Sequence, residues 1–181
     1  MENRIAKAYW IWLELSDSDN NYCKELQKKV QKTIKSPTFK PHLTVSGPIN
    51  LIENRDILKK KFYELSKQIE PIVTNNLSFD YQNQYFQSFY IKIEKSNDLL
   101  KLKDSIDKKY GFLNNNNQTY MPHISLAYGN IPIKSKIKIM NSLGKLQKNF
   151  LANRISLIYA NEEKLIWKKV VSISIKHDER S

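Results

Sequence analysis

The chain alternates between two hydrophobic periods from its first residues onward. Ala8 to Leu15, AYWIWLEL, is aromatic and aliphatic throughout and predicts a strand. Tyr22, Leu26, Val30 and Ile34 then recur at helical spacing; Asp17 or Ser18 can cap that helix and Pro37 ends it. A short strand over His42 to Ser46 closes at Gly47-Pro48. Arg55 to Ile69 predicts a second helix, with Ile57, Leu58, Phe62, Leu65 and Ile69 on one face. Strands are expected from Ile72 to Tyr81 and from Tyr85 to Glu94, the second alternating through Phe89, Ile91 and Ile93. A third helix opens at Asn97 or Asp98 and runs to Tyr110. The remaining elements are a strand from His123 to Tyr128, a helix from Lys134 to Asn149, and strands from Arg154 to Asn161 and Leu165 to Ile175.

This order contains an echo. Each half has a helix, then a Pro-His-apolar-Thr/Ser strand, then another helix and further strands. The two histidines lie 123 − 42 = 81 residues apart, close to half of the 181-residue chain. A duplicated unit of this kind would bring equivalent strands together across a pseudo-two-fold axis. Long strand–helix–strand alternation favours an α+β or α/β architecture over an all-β one.

Composition narrows the setting. One domain, or two small lobes sharing a core, fits this length. No apolar run reaches the roughly 20 residues of a membrane span, and Glu14 interrupts the early apolar stretch, against a signal-peptide pattern. A lone cysteine, Cys23, makes no internal disulfide and suits a reducing cytosol, so a cytoplasmic location is expected. The formal charge of +12, from 30 Lys+Arg against 18 Asp+Glu, would attract phosphate-bearing partners. Many of these lysines also read as solvated helix faces. The run Asn114 to Gln118, NNNNQ, reads as a mobile surface loop.

Candidate chemistry sits in two of the strands. Residues two apart on a strand project to one face, so His42 points with Thr44 and His123 with Ser125. Leu43, Val45, Ile124 and Leu126 face the other way. Two imidazoles and two hydroxyls are about what phosphodiester hydrolysis needs. A neutral imidazole takes a proton from water, an imidazolium donates one to the leaving oxygen, and hydroxyls hold the phosphate oxygens. The scheme requires no metal and no cofactor, and neither motif contains Asp or Glu. His177, in the polar tail KHDERS, reads as a solvated bystander.

The pair PHLTV and PHISL resembles the two His-x-Thr/Ser motifs of the two-histidine phosphoesterase superfamily. The longer strings PTFKPHLTV and TYMPHISLAYG, with the early YWIWLEL, are similar to its cyclic phosphodiesterase branch. That resemblance implies an α+β fold spanning residues 1–181 as one two-lobed domain. In it, two antiparallel sheets would face a central cleft, with helices on the outside. It further implies that His42 and His123 are the catalytic pair, that Thr44 and Ser125 bind phosphate oxygens, and that Trp12 and Tyr128 flank a bound nucleotide. Trp10 and Trp12 share a strand face, so core packing is the alternative for Trp12.

Three functions follow as expectations. The first is a metal-independent phosphoric diester hydrolase opening a nucleoside 2′,3′-cyclic phosphate or ADP-ribose 1″,2″-cyclic phosphate to a monoester. The second keeps these residues but acts on RNA ends or on cyclic oligonucleotide messengers, in an antidefence role. The third is a basic RNA-binding module without turnover, which the intact quartet of His42, Thr44, His123 and Ser125 argues against. A monomer without membrane association is expected in each case.

Overall fold

The computed structural model describes residues 7–49, 54–110 and 119–176. His177 and the run Asn114 to Gln118 lie outside the described residues. The chain forms β1 (Ala8–Leu15), α1 (Asp17–Gln31), β2 (Leu43–Ile49), α2 (Arg55–Ser66), β3 (Ile72–Asp80), β4 (Phe89–Ile93), α3 (Asn97–Tyr110), β5 (His123–Ala127), α4 (Ile133–Ser142), β6 (Asn149–Asn161) and β7 (Ile166–Ser174). This is an α+β fold with four helices and seven strands among the described residues.

β1 sorts its side chains by the two-residue period. Tyr9, Ile11, Leu13 and Leu15 are buried in the core, while Trp10, Trp12 and Glu14 take the opposite face. The core side is completed by apolar helix faces: Cys23, Leu26 and Val30 of α1, Leu58, Phe62 and Leu65 of α2, and Leu99, Leu102 and Ile106 of α3. α1 packs against β1 and β5, α3 against β2, and α2 against β6 and β7.

The strands run in the order β1-β2-β5-β4-β3-β6-β7, every pairing antiparallel, and β6 also pairs with β1. Six strands therefore close a circuit, with β7 added on β6. The two separate sheets expected from the sequence are joined here in one hydrogen-bonded sheet. One join is β6, whose residues 149–152 pair with β3 while residues 154–161 pair with β7. The other is much narrower: between β2 and β5 only Leu43 and Ile124 are paired.

Several element ends differ from the sequence reading, each for a local reason. The cap of α1 is Ser16 rather than Asp17 or Ser18; its Oγ accepts the Asp19 N–H at 3.3 Å. α2 stops at Ser66, short of Ile69, where the Gln68 N–H turns back to the Leu65 carbonyl ahead of Pro71. α4 stops at Ser142 with Leu143 already extended. The residues that follow start β6 early, at Asn149, where β3 offers a pairing edge. Tyr85–Gln87 is a single 3-10 turn and not the start of β4.

β2 continues through Gly47-Pro48, a cis peptide bond, to Ile49. Gly47 has φ +142°, and a Cβ placed there would run into the Trp10 ring. Any side chain would be strained and would push Trp10 aside. The glycine thus keeps space for an aromatic ring on the face that carries the histidines.

Candidate active site

β2 and β5 place the two motifs against each other. In an antiparallel pair centred on Leu43 and Ile124, His42 lies across from Ser125 and Thr44 across from His123. Leu43 and Ile124 are fully buried on the core side, so all four polar side chains take the other face. His42, Thr44, His123, Ser125, Trp12 and Tyr128, the six residues singled out in the sequence, line one cavity of about 290 Å³. Trp10, Ser46, Lys103, Tyr120, Glu162 and Trp167 line it as well.

The two imidazoles are held alike. His42 Nδ1 lies 2.7 Å from the Lys40 carbonyl and His123 Nδ1 lies 2.8 Å from the Met121 carbonyl. A carbonyl only accepts, so Nδ1 carries the proton in each ring and Nε2 is left to take or give one. The supports behind them differ. Lys40 is paired with Glu14, which also takes Lys169 at 2.7 Å and the Ser156 hydroxyl. Burial alone would raise the Glu14 carboxyl, but hydrogen bonds from Lys169, Lys40 and Ser156 hold it down at about 2. Behind His123 the contacts are uncharged: Met121 Sδ receives Gln82 at 3.4 Å and the Tyr90 hydroxyl at 3.6 Å.

Burial depresses both histidines. His42 is pushed down to about 4, by desolvation and by its neighbour His123, against the bond to the Lys40 carbonyl and the charge of Glu14. His123 is lowered too, by desolvation, with the Met121 carbonyl opposing. In the free protein both imidazoles are therefore neutral near neutral pH.

Aromatic rings fix the shape. Trp12 stacks on His42, centroids 3.4 Å apart and planes within 9°. The Tyr90 ring meets His123 edge-on at 5.2 Å. Tyr128 is stacked by Phe39 at 3.8 Å and met edge-on by Phe86 at 5.2 Å, and burial keeps its hydroxyl protonated. Ser125 Oγ donates to the Phe86 carbonyl at 3.0 Å, so to reach a ligand oxygen that proton must turn away from Phe86. Tyr120 donates to the Thr44 carbonyl at 3.0 Å and steadies β2 beside the site.

Glu14, Ser46, Lys103, Asp107 and Trp167 carry no site role in the sequence reading. Ser46 continues the His42-Thr44 spacing, and Glu14 is a lone charge in an apolar strand; both were detectable. Lys103 and Asp107 sit with Leu99, Leu102 and Ile106 among the buried residues of α3, where charges are unexpected. Nothing in the local pattern marks Trp167. Among the described residues no three His, Cys, Asp or Glu side chains converge as a metal site. Burial pushes the Cys23 thiol up to about 12, too high for a nucleophile.

Two imidazoles and two hydroxyls facing one cleft in an α+β fold define a two-histidine phosphoesterase. The chain belongs to the family of cyclic phosphodiesterase-like proteins, whose model matches residues 6–176, and is a phosphodiesterase. No curated protein sequence matches it. Solved structures share its fold at low identity. Escherichia coli LigT in apo form superposes with a TM-score of 0.61 at 7% identity, over 94% of this chain and 98% of that one. LigT complexed with 3′-AMP gives 0.56 at 8%, over 96% and 100%. The Thermus thermophilus protein TT0787 gives 0.61 at 14%, over 93% and 97%.

Proposed function

We propose that the protein opens a five-membered cyclic phosphate, a nucleoside 2′,3′-cyclic phosphate or ADP-ribose 1″,2″-cyclic phosphate, to a phosphomonoester. The observation that carries this reading is the meeting of both His-x-Thr/Ser motifs in one cavity, each imidazole with its Nδ1 tied to backbone. One neutral imidazole accepts a proton from water as its oxygen attacks phosphorus. The other, as imidazolium, protonates the ring oxygen whose bond to phosphorus breaks. Thr44 and Ser125 hold the non-bridging oxygens. Trp12 serves both as the lid on His42 and as a wall for the nucleoside. The halves of the sheet that carry β2 and β5 hold the phosphate between their two motifs. LigT was solved with 3′-AMP bound, which supports a nucleotide as the ligand here.

A substrate panel tests the proposal. Cyclic mononucleotides, ADP-ribose 1″,2″-cyclic phosphate, cyclic dinucleotides and oligoribonucleotides are offered in turn, with and without EDTA. The expected result is ring opening of a cyclic monophosphate at a rate EDTA does not change. Turnover confined to oligonucleotides would replace this reading with the RNA-end or messenger activity. A rate lost in EDTA and restored by zinc or manganese would sink the metal-free scheme.

A further inference from the structure

Lys103 is a buried ammonium at the edge of the cleft, and the scheme above gives it no role. Its side chain is 5% exposed and is paired with Asp107, one turn on along α3, at 8%. Asp107 is also bonded by the Ser46 hydroxyl and does not line the cavity, whereas Lys103 does. An ammonium has three donors. Asp107 is the one hydrogen-bond acceptor Lys103 meets among the described residues; the Tyr120 ring also lies near it, 5.4 Å from Nζ to the centroid. Among the described residues, two donors of this buried cation are therefore unspent beside a polar cleft. Among the described residues lining that space Lys103 is the one permanent cation. The lysines of the adjoining cavity, Lys40 and Lys169, are committed to Glu14 and are 40% and 43% exposed.

We propose that Lys103 is a catalytic residue that binds a non-bridging oxygen of the reacting phosphate from the Thr44 side of the cleft. This rests on the phosphodiesterase reading and deepens it. A phosphodiester enters with one negative charge, and its hydrolysis gathers more on the non-bridging oxygens at the transition state. With both imidazoles neutral in the free protein, the fixed positive charge that the described lining offers it is Lys103. Asp107 keeps the ammonium oriented, and its own charge is turned toward Ser46.

A purely structural ion pair makes a different forecast. Breaking it from either end would do equal harm, while a substrate contact makes the two ends unequal. Lys103→Met should lower kcat/KM about 10²-fold, as loss of one preorganised charge donor does. Asp107→Asn, which keeps the ammonium, should stay within about tenfold of wild type. The double variant Lys103→Met/Asp107→Leu guards against misfolding, because a buried pair replaced by apolar residues is commonly neutral or better for stability. It should melt near the wild-type temperature and still lack activity. Inorganic phosphate binding by calorimetry separates this proposal from the function it rests on. Its Kd should weaken about 10–100-fold in Lys103→Met and in the double variant, the value of one charge-assisted hydrogen bond. If no cyclic phosphate is hydrolysed but that loss is seen, the substrate reading fails and the Lys103 site stands. Equal losses in Lys103→Met and Asp107→Asn, or a double variant that binds phosphate like wild type, would overturn it.

Discussion

Replacing His42 or His123 by alanine should each lower turnover of a cyclic phosphate by about 10²–10⁴-fold, the usual worth of a positioned acid or base. The double variant should lose little more than either single one, because two groups that pass one proton through one transition state act as a unit. The fold should survive, since the backbone at both positions is set by the strand pairing and by Leu43 and Ile124 on the core side. Thr44→Ala and Ser125→Ala should cost less, as each removes one of several contacts to the phosphate. The measurements are single-turnover rates and melting temperatures for all five variants. A histidine variant that folds and stays within tenfold of wild type would remove that residue from the proton transfers.

The pH dependence should be displaced toward acid, and differently for the two kinetic parameters. Productive binding needs one imidazolium and one imidazole. In the free protein both rings are held below the usual value of about 6.5, His42 at about 4. The singly protonated pair therefore grows as pH falls below about 6.5, and kcat/KM, which reports the free protein, should peak on the acid side of that value. A bound phosphate stabilises the imidazolium, so the bell for kcat should lie at higher pH. Both apparent values belong to the pair. Stability follows the same sign: with a folded pKa below the unfolded one, the contribution of neutral His42 is complete above about pH 6.5 and is lost as pH falls toward 4. His42→Gln should blunt that acid-side loss of melting temperature. A kcat/KM maximum above about pH 7 would contradict the depressed pair.

Much of this was legible from residue order because the two-residue strand period assigns faces before any pairing is known. His42 with Thr44, and His123 with Ser125, had to share a face once those segments were strands, and the apolar residues between them had to be core. The pairing of Leu43 with Ile124 is what sequence could not supply, since it joins residues 81 apart through a register set by the whole sheet. Lys103 and Asp107 stayed hidden for a different reason. A Lys–Asp pair four residues apart on a helix ordinarily reads as a solvated face. Only tertiary packing against Ser46 and Tyr120 buries this one. The ends of α2 and α4 were overrun because apolar residues keep helical spacing past Ser66 and Ser142, where the chain already turns toward β3 and β6.

The three tryptophans of the chain are Trp10, Trp12 and Trp167, and all three line the cleft. Ultraviolet emission excited at the indole band therefore arises wholly from the walls of the site, with no background from elsewhere in the protein. Ligand entry can be titrated by the light the protein already emits, without a label. Trp12 lies face to face with His42 at 3.4 Å, and an imidazolium quenches a stacked indole where a neutral imidazole does so far less. An emission-against-pH curve thus serves as a proton gauge for the histidine pair, and its shift on adding a nucleotide measures how strongly the bound phosphate calls for that proton.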